Sequence, residues 1–121
     1  KVMKSDGEDS IVSCMLRNQI GNLAIAPLKS FNKNLALDYD VYPEIEKRWG
    51  YGLIINKEPI PKKRKAGSGS WAGVLNTYFW IDPKSDIAGV FLAQMLPCYS
   101  PNILNAVDSF EELAYRRLIR N

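Results

Sequence analysis

The sequence has no histidine. A Ser-His-Asp or Cys-His catalytic centre therefore cannot be built from this chain alone. A histidine-based zinc site is excluded with it. Cysteine is almost as scarce, with Cys14 and Cys98 the two present. Their wide separation fits neither a metal-ligand spacing nor a disulfide framework. Free, partly buried thiols are the favoured reading, and a bridge between them stays open. No apolar run is long enough to span a membrane. The longest, from Ile87 to Leu96, has the length of a strand and contains Gln94. No metal ligand set and no cofactor motif stands out, so neither is expected.

What is present describes a globular piece. The chain has 121 residues, 46% apolar and 24% charged, which suits one small domain or part of a larger one. It begins at Lys1 without an initiator methionine, so the missing signal peptide says nothing about compartment. The net charge of +3 is local rather than global. Lys57, Lys62, Lys63, Arg64 and Lys65 cluster against Glu58. Such a run can be a targeting or nucleic-acid patch. A solvated loop between strands is the favoured reading, because no second basic cluster or stacking pattern accompanies it. No nucleic acid and no membrane are expected as partners.

Local patterns divide the chain into three stretches. Residues 1–48 read as a polar start, a short helix and an irregular excursion. Asp9 or Ser10 is placed to cap a helix from Ile11 to Arg17, with Gly21 as its stop. Residues 22–48 show no clean period beyond a helical turn near Tyr42 to Lys47. Loops of that length usually line a site or pack on another element. Residues 49–97 read as strands. Trp49 to Ile55 is one, and Lys65 to Trp71 a second that enters a glycine-serine stretch. Thr77–Ile81 and Ile87–Met95 form a hairpin about Asp82-Pro83-Lys84-Ser85-Asp86. Ile87, Gly89, Phe91, Ala93 and Met95 share one face of the return strand. Both of its faces are mainly apolar, so both need cover. Residues 100–120 read as a helix, with Ser100 as N-cap and Pro101 at its first position. Ile103, Leu104, Val107, Phe110, Ala114 and Leu118 recur at helical spacing. The expected fold class is α+β: an antiparallel sheet of three or four strands with the C-terminal helix on one face.

The stretch Gly67-Ser68-Gly69-Ser70-Trp71-Ala72-Gly73-Val74-Leu75-Asn76 is the candidate site. Small residues let a backbone approach a ligand, or mark a bulge. A phosphate loop does not fit, because no helix opens here and no Gly-Lys-Ser/Thr ending follows.

The run from Gly67 to Pro97, GSGSWAGVLNTYFWIDPKSDIAGVFLAQMLP, resembles serine hydrolases of the class C β-lactamase superfamily, above all its esterase-like branch. Ser70-Trp71-Ala72-Gly73 falls where that superfamily has Lys-Thr-Gly, and esterase-like members often have Trp-x-Gly there. Asn76 to Pro83 and Gln94 to Pro97 are similar to that branch's following strand, turn and strand exit. Met15 to Gly21 and Trp49 to Leu53 resemble its helix end and glycine-rich strand.

The resemblance implies a C-terminal portion, residues 1–121, of a β-lactamase/transpeptidase-like domain, from the bacterial periplasm or cytoplasm. It implies acyl-enzyme hydrolysis of small esters, amides or β-lactams. The nucleophilic serine of Ser-x-x-Lys, its lysine, and the tyrosine of Tyr-x-Asn are expected upstream. No catalytic residue is thus assigned here, and the chain alone is expected to be inactive. Ser70, Trp71, Ala72 and Gly73 would bind substrate. The backbone N–H of Val74 would face the oxyanion. Trp71 in place of the motif lysine offers apolar area and one donor, which favours esters or bulky acyl groups over penicillins. A core aromatic beside Phe79 and Trp80 is its other reading. Bare strand edges would make the piece self-associate or need its missing N-terminal part. A non-catalytic interaction module that kept the fold is the alternative.

Overall fold

The computed structural model describes residues 10–119. The polar start, Asp9 as a cap, and the last helical residue Arg120 lie outside the described residues. Helix α1 spans Ile11–Met15. Strands β1 (Lys47–Trp49), β2 (Ile54–Asn56), β3 (Gly69–Gly73), β4 (Thr77–Asp82) and β5 (Ile87–Phe91) follow, then helix α2 (Pro101–Leu118). All five strands form one antiparallel meander in chain order.

The sheet has one strand more than expected, because Trp49 to Ile55 is not a single strand. It folds into the β1–β2 hairpin about Gly52, whose φ is +75°. Gly50 allows this bend to dock on α1, since a Cβ there would lie 2.0 Å from the Met15 carbonyl oxygen. The Tyr51 N–H donates to that same carbonyl at 3.0 Å. Two other strands are shorter than expected: β3 begins only at Gly69 and β5 ends at Phe91. Tyr42 to Lys47 holds one hydrogen-bonded turn, the Ile45 N–H donating to the Tyr42 carbonyl at 2.9 Å, and goes no further into helix. Tyr42 takes a left-handed φ of 47° and Lys47 already belongs to β1. Ser10 caps α1 by accepting from the Ser13 N–H at 3.1 Å.

Strand alternation divides the sheet into two faces. Tyr78, Trp80 and Asp82 of β4 are buried, and their cross-strand partners Phe91, Gly89 and Ile87 share their side. Trp80, Ile87 and Tyr115 of α2 form the core cluster. Gly89 has no alternative here, as a Cβ would sit 2.1 Å from the Trp80 indole. The excursion packs on this same side. Leu28 bridges Tyr39, Ala36 bridges Cys98, and the Tyr39 and Tyr99 rings stack at 4.5 Å. Both cysteines are free thiols.

Helix α2 lays most of its expected stripe on the sheet, with Ile103, Leu104, Val107 and Ala114 half-buried and Phe110 against Trp80 and Phe91, but its most buried residues are not of that stripe. Its two buried residues are Glu111 and Tyr115, while Phe110 and Leu118 are 40% and 59% exposed. Polar partners on the sheet side decide this. The Tyr115 hydroxyl donates to the Asp82 carboxylate at 2.9 Å, and Arg64 Nε faces Glu111 Oε1 at 3.2 Å. The basic run is the loop between β2 and β3, with Lys57, Lys62 and Lys65 exposed as expected, but it is not solvated throughout. Lys62, Lys63 and Arg64 pair with Glu112, Asp108 and Glu111 of α2, and Arg64 is buried. A sequence periodicity has no means of showing a charge drawn inward by a partner 47 residues away (111 − 64).

Asp82 holds two elements together. Its Oδ1 accepts from the Lys84 and Ser85 N–H groups in the β4–β5 turn, and its Oδ2 from the Lys65 N–H and the Tyr115 hydroxyl. Burial pushes the carboxyl up, but the donors from Lys65, Ser85 and Tyr115 outweigh it and hold it below its usual range. A folded value below the unfolded one means that the ionised form stabilises the fold above about pH 4, and that this is lost as pH falls through the folded value. Asp82→Asn should thus be less stable than the unaltered chain at neutral pH, with the gap closing on acidification. Urea denaturation from pH 7 to pH 3 checks this, and a constant gap would contradict it.

Candidate functional site

The four expected substrate residues lie on β3, but they do not share a face. Ser70 and Ala72 pair with Trp80 and Tyr78 and so turn toward α2. Trp71 and Gly73 pair with Phe79 and Thr77 and turn the other way. Only Trp71 and Gly73 can thus line a site on that second face together. The Trp71 indole meets Trp49 edge-on, with centroids 4.8 Å apart at 86°. Trp49 was no part of the expected site. Its partnership with Trp71 arises from the β1–β2 hairpin, which residue types alone did not reveal.

The small residues of the stretch serve different ends. At Gly69 a Cβ would be 2.5 Å from Leu16 Cδ2 and 2.9 Å from Leu53 Cδ1, so that glycine admits the protein's own side chains rather than a ligand. At Gly73 a Cβ would meet only Thr77, at an ordinary 3.6 Å. Space is therefore open at the exit of β3, where the expected oxyanion residue follows.

Val74 is the first residue of a three-residue hairpin loop, 55% exposed. The loop is closed by the Asn76 N–H on the Gly73 carbonyl at 3.1 Å. Asn76 is left-handed at φ +64°, a conformation that asparagine tolerates and that such loops require. Its side chain is fully buried and uses its whole hydrogen-bonding capacity. The amide nitrogen donates to the Met95 and Pro97 carbonyls at 3.0 and 2.8 Å. The amide oxygen accepts from the Tyr78 hydroxyl and the Tyr99 N–H, each at 2.9 Å. Burial raises the Tyr78 phenol above its ordinary value, so it remains a donor. The Met95 N–H donates in turn to the Leu75 carbonyl. Segment 95–99, with its cis Leu96-Pro97 bond, is thereby bolted to the loop that carries Val74. Asn76 is the residue that sequence reasoning missed. Its only signal was an asparagine at a hairpin turn.

Apolar side chains stand out along the two joined segments. Leu75 is 38% exposed, Leu92 77%, Met95 52% and Leu96 47%. The arrangement supplies an aromatic pair, an apolar rim and a rigidly held turn, without a nucleophile or base among Ser70–Asn76 beyond the inward-facing Ser70. The spacing Ser-x-x-Lys also occurs within the chain, at Ser30 and Lys33. It lies in an exposed turn, where the Ser30 hydroxyl donates to the Asn32 carbonyl and Lys33 pairs with Asp38. Asp38 is held down to about 2 by its bonds from Lys33 and the Ser30 N–H, so this lysine is committed to an ion pair. Among the described residues no group of His, Cys, Asp and Glu is placed to hold a metal ion, and no helix is long and apolar enough to cross a membrane.

Asn76→Gly keeps the left-handed backbone and removes four hydrogen bonds. At about 1 kcal/mol each, the expected loss is roughly 2–4 kcal/mol of unfolding free energy. A loss below about 1 kcal/mol on chemical denaturation would mean that the turn is held by something else.

No protein-family model matches this chain, and no curated protein does. Solved structures do. A mutant of simvastatin synthase (LovD) from Aspergillus terreus superposes with a TM-score of 0.63 at 25% identity, covering 64% of this chain. The unliganded enzyme gives 0.59 at 26% identity over 61% of this chain, and its selenomethionyl form 0.58 at 27% over 59%. The chain spans only 20%, 20% and 18% of those structures, respectively. Five antiparallel strands with a helix on one face are thus structurally homologous to a part of simvastatin synthase.

Proposed function

We propose that this chain is one wall of the active site of a serine enzyme that works through an acyl-enzyme, and that it is the C-terminal portion of a β-lactamase-like domain. The observation that carries the reading is the loop Gly73–Asn76, held rigid by Asn76 and presenting Val74 at the open end of β3 beside Trp71. The likeness to simvastatin synthase supports it.

The nucleophilic serine, with a lysine and a tyrosine to move protons, comes from sequence upstream of this chain. The serine oxygen attacks the carbonyl carbon of an ester or amide, and its proton passes to the leaving alcohol or amine. The carbonyl oxygen gathers negative charge opposite the Val74 N–H. The closing hydrogen bond of the loop uses the Asn76 N–H, so it leaves the Val74 N–H for this role. Water then attacks the acyl-enzyme, releasing the acid and returning a proton to serine. Trp71, braced by Trp49, gives this wall apolar area where a cation would favour a substrate carboxylate. Esters with bulky acyl groups are therefore the preferred substrates, ahead of β-lactams. The bare apolar rim and the β5 edge are covered by the upstream part of the protein or by a second copy.

The test uses the full-length protein and an activated aryl ester. Intact mass should show one acyl adduct, and its absence leaves the chain as a non-catalytic module. Val74→Pro removes the N–H at a turn position that suits proline. It should lower kcat by about 10²–10³-fold while Val74→Ala stays near the unaltered rate. Equal kcat in both variants would sink the oxyanion assignment.

A further inference from the structure

Helix α2 and the sheet do not close completely on one another. Between them lies a cavity of about 190 Å³, walled by Tyr39, Tyr42, Tyr78, Tyr99, Leu104 and Val107. Ser70, Trp71 and Ala72 of β3 also line it, so it backs onto the proposed acyl-transfer wall, while the Val74 loop lies outside it. Its walls are braced: Tyr99 stacks on Tyr39 at 4.5 Å and tilts against Tyr78 at 6.5 Å. A cavity so held does not simply collapse.

The polar end carries Arg64, Asp108 and Glu111. The Arg64 and Glu111 side chains are only 7% and 1% exposed. Their Nε and Oε1 atoms face each other at 3.2 Å as an ion pair. Neither atom has a well-aligned hydrogen bond among the described residues. The ion pair offsets part of the cost of burying them, and a well-aligned hydrogen bond would offset more. One hydroxyl group relieves both, donating to the carboxylate and accepting from the guanidinium.

Size and charge narrow the ligand further. A cavity of about 150 Å³ lined by apolar side chains holds benzene, and drug-sized ligands need roughly 300–1,000 Å³. The space between the tyrosines and α2 is thus enough for one six-membered ring, with its open side toward solvent. Arg64 and Lys63 already balance Glu111 and Asp108, so a charged ligand would bring an uncompensated charge into a buried site. We propose that the cavity between α2 and the sheet binds a neutral single-ring phenol, its ring among the tyrosines and its hydroxyl against the cavity side of the Arg64–Glu111 pair.

The test titrates phenol, benzene and benzoate into the full-length protein by ligand-observed NMR. Phenol should bind saturably, about tenfold tighter than benzene, the worth of one to two net hydrogen bonds. Benzoate should bind more weakly than phenol. Val107→Phe fills the space and should abolish phenol binding. Three results overturn the proposal: no saturable phenol binding, benzene binding as tightly as phenol, or phenol binding unchanged by Val107→Phe. If that variant does not fold, the phenol-to-benzene ratio on the unaltered protein decides alone.

Discussion

The side chain of Asn76 is the constraint on which the site end of this fold depends. It joins the β3–β4 loop to segment 95–99 by four hydrogen bonds made in a place closed to water. A buried amide must have its partners, so each bond restricts where the two segments can go. The same residue supplies the left-handed backbone that lets β3 turn into β4. Val74 is thereby presented on a loop with little freedom, which is what an aimed donor requires. The excursion is drawn in by the same segment, because Leu35, Ala36 and Leu37 pair with Cys98.

Polar tethers work beside an apolar stripe to seat α2 on the sheet. Asp82 receives Tyr115, and Arg64 meets Glu111 beneath the Tyr42 ring. A buried ion pair is costly to desolvate, so its worth lies as much in excluding other registers as in net stability. Burial pushes the Glu111 carboxyl up, against the opposing pull of Arg64 and Lys63. The Tyr42 phenol is likewise pushed up to about 12 by burial and then by Glu111. Both tethers act on the same helix face, while Phe110 at its edge packs on Trp80 and Phe91 and Leu118 stays 59% exposed.

The two faces of the sheet have different fates. The α2 face is closed by the helix and the excursion. The opposite face is met by Leu16 at Gly69, while Val90 remains 58% exposed and Ala88 is exposed beside it. Apolar residues on both faces of β5 announced that both needed cover. The proposed wall, with Trp71 and Phe79, is part of that second face. The proposed wall and the incompletely buried face thus coincide.

The sequence by itself determined the elements with strong local signals. The hairpin about Asp82 to Asp86, the Ser10 cap, and the helix opening at Ser100 and Pro101, where Ser100 makes no side-chain capping bond, follow from turn chemistry and periodicity. The α+β class and the position of the β3 stretch were legible for the same reason. Tertiary structure alone decided the split of Trp49 to Ile55 into a hairpin, since its cause is close contact between Gly50 and Met15. It also decided the burial of Glu111 and Arg64, the pairing of Trp49 with Trp71, and the role of Asn76. Each of these depends on a partner distant along the chain. Local propensity describes how a segment prefers to bend, whereas a buried charge or amide goes where its partner is, and that partner's position exists only once the chain has folded.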